Sequence, residues 1–121
     1  MRQYISDAKA HGVTVIICSP VPRNTWVNGK IKRGFDGYAQ WATEAAKAGN
    51  APFLDLNTLA ANHYDALGQQ TAAGYFADNQ HTTKAGAKIN AQSIKEGLLQ
   101  LKDLSLVQDF LPATPQPPAK P

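Results

Sequence analysis

A continuous apolar run from Val13 to Cys18 constrains the fold of this chain more than any other segment. Its sequence, VTVIIC, is rich in β-branched residues and lies between the turn-forming residues Gly12 and Pro20. Runs of this kind are typical of strands that are buried on both faces of a parallel sheet. Such a strand needs a neighbour on each edge, and we expect Cys18 at its end to be a buried thiol.

Helical periodicity surrounds this strand on both sides. A helix is predicted over residues 1–11, and its core-facing residues are Tyr4, Ile5 and Ala8. His11 at its end is expected to interact favourably with the helix dipole. A second helix is predicted over residues 36–47, with Asp36 as its N-cap and Gly49 after its last turn. Its core-facing residues are predicted to be Tyr38, Trp41, Ala42 and Ala45.

The pattern then repeats in the second half of the chain. A short strand over residues 52–56 precedes a helix that Asn57 or Thr58 would cap. On that helix His63 lies on an apolar stripe, so we expect a packed, hydrogen-bonded histidine and not a metal ligand. A long helix over residues 84–102 has a predicted core stripe of Ala87, Ala91, Ile94, Leu98 and Leu101.

The order of these elements predicts the fold class. Strands that alternate with helices indicate a parallel α/β sheet with right-handed crossovers, which binds ligands beyond the carboxyl ends of its strands. Two strands do not complete such a sheet, so we expect partner strands to be missing from this sequence or to come from another copy. Residues 1–104 are assigned to the domain. Residues 105–121, rich in proline, are assigned to a tail or linker.

Composition excludes several classes of protein. The chain has 43% hydrophobic and 17% charged residues, which is normal for one globular domain and excludes a disordered chain. The longest apolar run is too short for a membrane span. A net charge of +3 is too mild to indicate nucleic-acid binding. A single cysteine makes no internal disulfide, and no spacing of ligands predicts a metal site.

The long segment from Ser19 to Phe35 is a candidate binding loop, because loops of this length in compact domains are usually functional or disordered. Its positive charges have no acidic residue among them, which would suit an acidic ligand, although solvated charges explain them equally simply. These residues are Arg23, Lys30, Lys32 and Arg33. Trp26 is either an exposed platform for a sugar or a cover for the hydrophobic underside of the loop.

The stretch YFADNQHTTKAG is a candidate catalytic motif, because Asp78 precedes His81 by three residues. A carboxylate at this spacing can accept the Nδ1 proton of the imidazole and leave Nε2 free to take a proton from a nucleophile. The alternative is an ordinary loop before a helix that Thr82 or Thr83 caps. We therefore predict an acid and base pair that forms half of a hydrolase site.

Several of these stretches together resemble one family. The succession ICSPVPRN, YAQWA, PFLDLN and YFADNQHTTKAGA resembles the C-terminal half of an SGNH (GDSL-type) hydrolase, most closely the rhamnogalacturonan acetylesterases. The resemblance covers the chain from its start to about Leu101. It implies the C-terminal portion of a three-layer α/β/α, flavodoxin-like fold with parallel strands, whose N-terminal strands are missing here.

The resemblance also implies a function. A carbohydrate esterase of this family removes acetyl groups from acidic pectic polysaccharide without a metal or organic cofactor. His81 would be the general base and Asp78 its orienter, and substrate contacts are assigned to Arg23, Asn24 and Trp26. The family is secreted, but no basic-then-apolar leader segment precedes Val13, so localisation is left unassigned.

The expected departure from the family is the nucleophile. In the family a serine in a G-D-S motif and oxyanion donors in two further motifs come before the part matched here, and none of these motifs occurs in this sequence. The available serines, none of which lies in a sharp nucleophile turn, are Ser6, Ser19, Ser93 and Ser105. We expect the chain alone to be inactive or weakly active. The alternative is a sugar-binding or self-associating module that pairs copies through the VTVIIC edge.

Overall fold

A computed structural model describes residues 1–34 and 37–101 of the chain. Strands and helices alternate along this part, as the sequence predicts. The predicted N-cap Asp36 and the predicted tail over residues 105–121 lie outside the described residues. The elements are α1 (Arg2–Ala10), β1 (Ile17–Cys18), β2 (Trp26–Val27), β3 (Lys30–Ile31), α2 (Tyr38–Ala48), β4 (Phe53–Leu54), α3 (Leu56–Leu67), α4 (Gln69–Ala72), a 3₁₀ turn (Ala73–Tyr75) and α5 (Lys84–Gln100).

The central sheet consists of the parallel strands β1 and β4, with Ile17 opposite Phe53 and Cys18 opposite Leu54. The predicted strand over Val13–Cys18 is therefore wrong in extent, because only its last two residues have a partner in the described part of the chain. Val13 is exposed, and Cys18 is exposed instead of buried. Because the described residues place no strand on its second edge, this segment lacks there the cover that its apolar composition predicts.

Helices cover both faces of the two strands. On one face Leu54 contacts α5, where the helix comes so close that a Cβ added at Gly97 would lie 2.5 Å from the Leu54 Cγ. Successive strand residues point to opposite faces, so Phe53 faces away from α5. Helix α2 contacts both strands and covers that second side. The result is a mixed α/β structure with parallel strands between helices, which confirms the predicted fold class.

The predicted core stripe of α2 is wrong for its two aromatic residues. Tyr38 and Trp41 are each 56% exposed, and the residues that face the sheet are Ala42, Ala45 and Ala46. Ala42 and Ala45 are buried as predicted, and the buried face is rotated away from the two aromatic residues towards Ala46. Alanines allow the helix to approach the strands closely, and the large rings are left on the outer side.

The stripes of α1 and α5 are corrected in the same way. In α1 Ile5 is buried as predicted, but Tyr4 is exposed. In α5 Leu98 is buried as predicted, but Ala87 and Ala91 are exposed, and the other buried residues are Gly86, Ser93 and Gly97. Small residues again form the contact face, because they let the helix axis approach its neighbours. None of the helices in the described ranges has the length and apolarity that a membrane-spanning segment requires.

The long segment after β1 is not an irregular loop. Strands β2 and β3 form an antiparallel hairpin, with Trp26 opposite Ile31. The two residues between the strands, Asn28 and Gly29, have φ angles of 50° and 77°. These left-handed angles are those of a type I′ turn, for which Asn-Gly is the preferred sequence. Ile31 is 1% exposed and belongs to the same core cluster as Tyr64 and Phe76.

Candidate active site

A tight turn at the beginning of α5 carries Asp78 and His81. Phe76 and Thr82 form an antiparallel bridge that closes the turn. Inside the bridge the Ala77 N–H donates to the carbonyl oxygen of His81 at 2.8 Å. Helix α5 starts directly after the turn, with the Thr83 hydroxyl accepting from the Gly86 N–H at 3.3 Å. Of the two predicted alternatives, Thr82 and Thr83, the N-cap of α5 is therefore Thr83.

Asp78 uses both carboxylate oxygens within this turn. Oδ1 accepts from the N–H groups of Gln80 and His81, each at 2.7 Å, and Oδ2 lies 2.7 Å from Nδ1 of the His81 ring. The main-chain donor of His81, that of Gln80 and the ring N–H stabilise the charged carboxylate and lower the pKa of Asp78 to about 2. An ionised carboxylate on Nδ1 places the ring proton there and leaves Nε2 as the acceptor.

Both side chains are open to their surroundings. The His81 side chain is 77% exposed and that of Asp78 is 58% exposed. Since Nδ1 is held by the carboxylate, the exposed part of the ring includes Nε2. The arrangement has the geometry that a general base needs in order to take a proton from a group brought to it from outside the turn.

The base of the turn is fixed by α3. Tyr64 is fully buried, and its hydroxyl donates to the carbonyl oxygen of Gly86 at 3.3 Å or to Oδ1 of Asn90 at 3.1 Å. Burial raises the pKa of Tyr64 to about 12, so this hydroxyl remains a donor. Its ring contacts that of Phe76, with the ring centres 4.9 Å apart. The residue that precedes the turn and the first turn of α5 are thus attached to one buried side chain.

The segment between Ser19 and Gly34 is held at both ends by Asn57 at the start of α3. Asn57 is buried, its Oδ1 accepts from the Gly34 N–H at 3.0 Å, and its Nδ2 donates to the Pro20 carbonyl at 2.9 Å. The buried Ser19 hydroxyl accepts from the Asn57 N–H and donates to Asp55, both at 2.9 Å. Asp55, and not the predicted Asn57 or Thr58, is the N-cap of α3. Asn57 instead closes the loop.

Asp65 holds the middle of this segment. Its Oδ1 accepts from the Ile31 N–H at 2.8 Å, and its Oδ2 pairs with Arg33 Nη1 at 2.8 Å. Its side chain is only 9% exposed. Burial opposes ionisation, but the Ile31 N–H and the Arg33 guanidinium outweigh it and lower the pKa of Asp65. Arg33 also donates to Asn62 Oδ1 at 2.6 Å, so its charge serves the fold and is not available to an acidic ligand as the sequence suggested.

Asn79 connects the Asp78–His81 turn to the segment between Ser19 and Gly34. Its carbonyl oxygen accepts from the Asn24 N–H at 3.0 Å, and its Oδ1 accepts from the Thr25 hydroxyl at 3.3 Å. Asn79, one of the two residues between Asp78 and His81, is thus bonded to the segment that contains the predicted substrate-binding residues. Asn24 lies beside the turn, and Arg23 is its neighbour in the chain. No sequence pattern pointed to Asn79, because both of its partners are far away in the sequence.

Trp26 does not stand out from the surface. Its ring packs against the core cluster around Tyr64, and its Nε1 donates to Asn24 Oδ1 at 2.8 Å. Of the two alternatives for this residue, cover for the loop is the one the structure favours. Trp26 therefore fixes Asn24, which uses its main-chain N–H on Asn79 and its side-chain oxygen on the indole.

The other reactive side chains have structural partners. His63 Nε2 lies 3.0 Å from Glu96 Oε2, so it is hydrogen-bonded as predicted, and His11 Nδ1 lies 2.8 Å from the Asp7 carbonyl. Ser93 is buried and donates to the carbonyl of Ile89. In residues 1–34 and 37–101, no group of three or more His, Cys, Asp or Glu side chains is arranged for a metal ion.

No protein-family model matches the chain. It is 26% identical over 107 residues to a probable rhamnogalacturonan acetylesterase, YesY, of Bacillus subtilis strain 168, with 84% of this chain and 49% of that protein covered. It is 25% identical over 104 residues to the rhamnogalacturonan acetylesterase of Emericella nidulans, with 82% of this chain and 42% of that protein covered. The chain is a distant relative of the rhamnogalacturonan acetylesterases.

A solved structure supports the same relationship. The crystal structure of protein YXIM of Bacillus subtilis matches with a TM-score of 0.74 and 25% identity over 87% of this chain and 30% of that protein. The two curated relatives confirm the predicted resemblance to rhamnogalacturonan acetylesterases, and this structure has a similar fold. The chain spans about half the length of the curated acetylesterases that it matches.

Proposed function

We propose that this chain carries the acid and base half of a serine-type carbohydrate esterase that removes acetyl groups from an acidic pectic polysaccharide. The observation that carries the proposal is the 2.7 Å contact between His81 Nδ1 and Asp78 Oδ2, made on a ring that is mostly exposed. The similarity to rhamnogalacturonan acetylesterases supports this substrate class. Pectin degradation is the process to which such an activity belongs.

In the proposed mechanism His81 acts through Nε2. It takes the proton of a serine hydroxyl as the oxygen attacks the acetyl carbonyl, and it then gives that proton to the departing sugar alkoxide. Water, activated by the same nitrogen, releases acetate from the acyl-enzyme and restores the serine. Asp78 keeps the ring in the required tautomer and stabilises the positive imidazolium that forms in each step.

The serine is proposed to come from a polypeptide region beyond the part that the relatives share with this chain. Ser19 is buried and donates to Asp55, and Ser93 is buried on its own helix. Ser6 lies on α1, where it lines an open groove of about 330 Å³ together with Lys9 and Gly49. These surroundings suit none of the three as a nucleophile next to His81. Residues 1–104 form the esterase-related unit of this proposal, with residues 105–121 as tail or linker.

Substrate contacts are proposed for the Asn79-bound segment. Arg23 and Asn24 adjoin the turn through the Asn24–Asn79 bond, and a cation at this position would favour a uronate-containing chain over a neutral one. Trp26 contributes by fixing Asn24 and not by stacking on a sugar. Lys30 and Lys32 are exposed and add positive charge to the same segment.

The proposal is tested first by nuclear magnetic resonance of the His81 ring. At a pH high enough for the ring to be neutral, we expect its proton on Nδ1 in the wild-type chain and a mixture of tautomers in Asp78→Ala, because the carboxylate selects the tautomer. A ring with its proton on Nε2 in the wild type would contradict the proposed base.

Catalysis is tested by complementation. The part of the YesY protein of Bacillus subtilis that this chain does not match is produced separately and mixed with the chain. Acetate release from acetylated rhamnogalacturonan is then measured. We expect release that His81→Ala abolishes and Asp78→Ala reduces by at least a hundredfold, because triad members act as a unit. His63→Ala is the matched control, since His63 pairs with Glu96 away from the turn and should leave the rate unchanged. Equal rates with His81→Ala would refute the mechanism.

The second candidate function is a sugar-binding or self-associating module. The observation that favours it is the second edge of β1, which has no partner strand among the described residues. Pairing of two copies through that edge would double the apparent mass in light scattering. A monomer at high protein concentration would exclude the self-association.

A further inference from the structure

The two tryptophans have different surroundings. Trp26, for which a sugar platform and a loop cover were the two alternatives, packs on the core with its Nε1 bonded to Asn24. Trp41, the expected core residue, is 56% exposed together with Tyr38. The aromatic surface that is open to a ligand therefore lies on the first turn of α2 and not on the hairpin.

Tyr38 and Trp41 form a fixed pair. Their ring centres are 5.1 Å apart and their planes make an angle of 76°, so one ring presents its edge to the face of the other. The indole also lies against the main chain of Gly37, where an added Cβ would sit 3.5 Å from Cε2 and Cζ2 of the ring. Two contacts thus restrict the motion of Trp41, although half of its surface is exposed.

The pair lies at the edge of the sheet where ligands of such folds bind. Helix α2 leads from the carboxyl end of β1 back to the start of β4, so its first turn lies near the carboxyl end of the parallel strands. The segment that Asn79 joins to the Asp78–His81 turn also leaves that end of β1. The aromatic pair and the proposed base therefore lie towards the same end of the strands, although α2 and α5 cover opposite faces of the sheet.

The area of the pair suits a small occupant. Aromatic side chains of this kind bury roughly 150–250 Å² each when covered, so two rings that are a little over half exposed present about 200–250 Å². A stable protein interface needs about 800 Å² on each partner. The helical positions beside the rings are polar, with Gln40 bonded to Glu44 at 3.0 Å. A corner of two rings with a polar border fits a sugar ring better than a second protein.

We propose that Tyr38 and Trp41 form a subsite that stacks on a neutral sugar residue of the polysaccharide. Glu44 follows Trp41 by three residues on the same helical face, and its carboxylate disfavours a uronate at this position. A rhamnose-type residue, which has an apolar methyl group and no charge, is the partner that this chemistry selects. The inference rests on the proposed function for the identity of the polysaccharide, but it does not require His81 or a nucleophile.

The test is a binding titration of the intact chain with two oligosaccharides of equal length. One is a deacetylated rhamnogalacturonan backbone fragment with alternating rhamnose and galacturonate, and the other contains galacturonate alone. For the first, we expect Trp41→Ala to weaken binding about five- to tenfold and Trp41→Phe to weaken it less, because a ring is retained. For the galacturonate oligomer, we expect Trp41→Ala to have no effect.

Controls separate this inference from the proposed function. Tyr4→Ala removes another exposed aromatic residue, on α1, and should leave both affinities unchanged. Circular dichroism and the melting temperature verify that Trp41→Ala is folded. An unchanged affinity in Trp41→Ala, an equal loss in Tyr4→Ala, or no binding by the wild type would each overturn the subsite. The tautomer of His81 is measured independently, so a failed subsite leaves the proposed base standing, and the reverse also holds.

Discussion

The Asp78–His81 turn and the Ser19–Gly34 segment are bonded to each other, yet they are held in shape by different kinds of contact. The bonds of Asp78 that shape the turn lie within four consecutive residues, and every one uses its carboxylate. The segment is shaped by side chains of α3, which are more than twenty positions away in the sequence. Local contacts leave a spacing in the sequence, whereas distant contacts do not, and substitutions in the two regions should therefore have different consequences.

The largest effect is expected for Asn57→Ala. This change removes a buried side chain and leaves the part-buried Gly34 N–H and the Pro20 carbonyl without their partner, which lowers the free energy of unfolding by about 1–3 kcal/mol. Urea denaturation measures the change. Gln70→Ala, which truncates an exposed amide on the neighbouring helix α4, is the control and should cost less than about 0.5 kcal/mol. Equal losses for the two variants would show that Asn57 does not organise the segment.

A smaller contribution to the free energy of unfolding is expected from the ion pair between Asp65 and Arg33. In a double-mutant cycle with Asp65→Asn and Arg33→Gln, we expect a coupling energy of about 1 kcal/mol, reduced from that of a buried pair because Arg33 is 38% exposed. Raising the salt concentration should reduce it further. A coupling of zero would mean that the Ile31 N–H alone makes Asp65 important for the hairpin.

For the turn, the decisive measurement is the titration of Asp78. Its pKa is lowered to about 2 in the folded chain, against about 3.9 in an unfolded one, so its stabilising contribution is complete above about pH 4 and is lost as the pH falls towards 2. We expect His81→Ala to raise the Asp78 pKa only part of the way, because the main-chain donors of His81 and Gln80 remain. Carbon resonances of the carboxyl group report this value. Full recovery of the ordinary pKa would assign the whole shift to the ring.

The smallest effect is expected where the two regions join. Thr25→Val removes the hydroxyl that donates to Asn79 and should change stability by less than about 0.5 kcal/mol, because the Asn24–Asn79 main-chain bond persists. Thr25→Ser keeps the donor and serves as the matched control. Resonances of Asn79 and His81 should shift in Thr25→Val and stay in place in Thr25→Ser. Identical spectra for both variants would mean that the side-chain bond does not connect the regions.

The difference between local and distant contacts also explains which features the sequence could predict. The approach of Asp78 to His81, the Thr83 cap and the parallel pairing of β1 with β4 follow from short spacings and from alternation of elements. The Asn28-Gly29 hairpin could also have been predicted, since Asn-Gly between apolar residues is a strong hairpin signal. Asn57, Asp65 and Asn79 could not, because an asparagine or aspartate that bonds to a distant main chain looks like any other surface residue.

Helix faces show a second limit of sequence patterns. The hydrophobic stripe predicted for α2 includes Tyr38 and Trp41, and that predicted for α5 includes Ile94, but all three are exposed. Apart from Leu98, the buried residues of these two helices are alanine, glycine and serine. Close approach of backbones favours small side chains, which hydrophobicity alone ranks below Trp41 or Ile94. The exposed aromatic pair on α2 is a direct result of this rotation.

Gly86 has a consequence for any attempt to transfer the Asp78–His81 pair into another protein. A Cβ at this position would collide with the Tyr75 carbonyl and would lie 2.8 Å from Thr82 Cβ, so the helix can start here only if its third residue has no side chain. Grafting four residues onto a different helix would therefore not reproduce the pair. The smallest portable unit runs from Tyr75 through Gly86, and its recipient must offer a buried hydroxyl in the place of Tyr64.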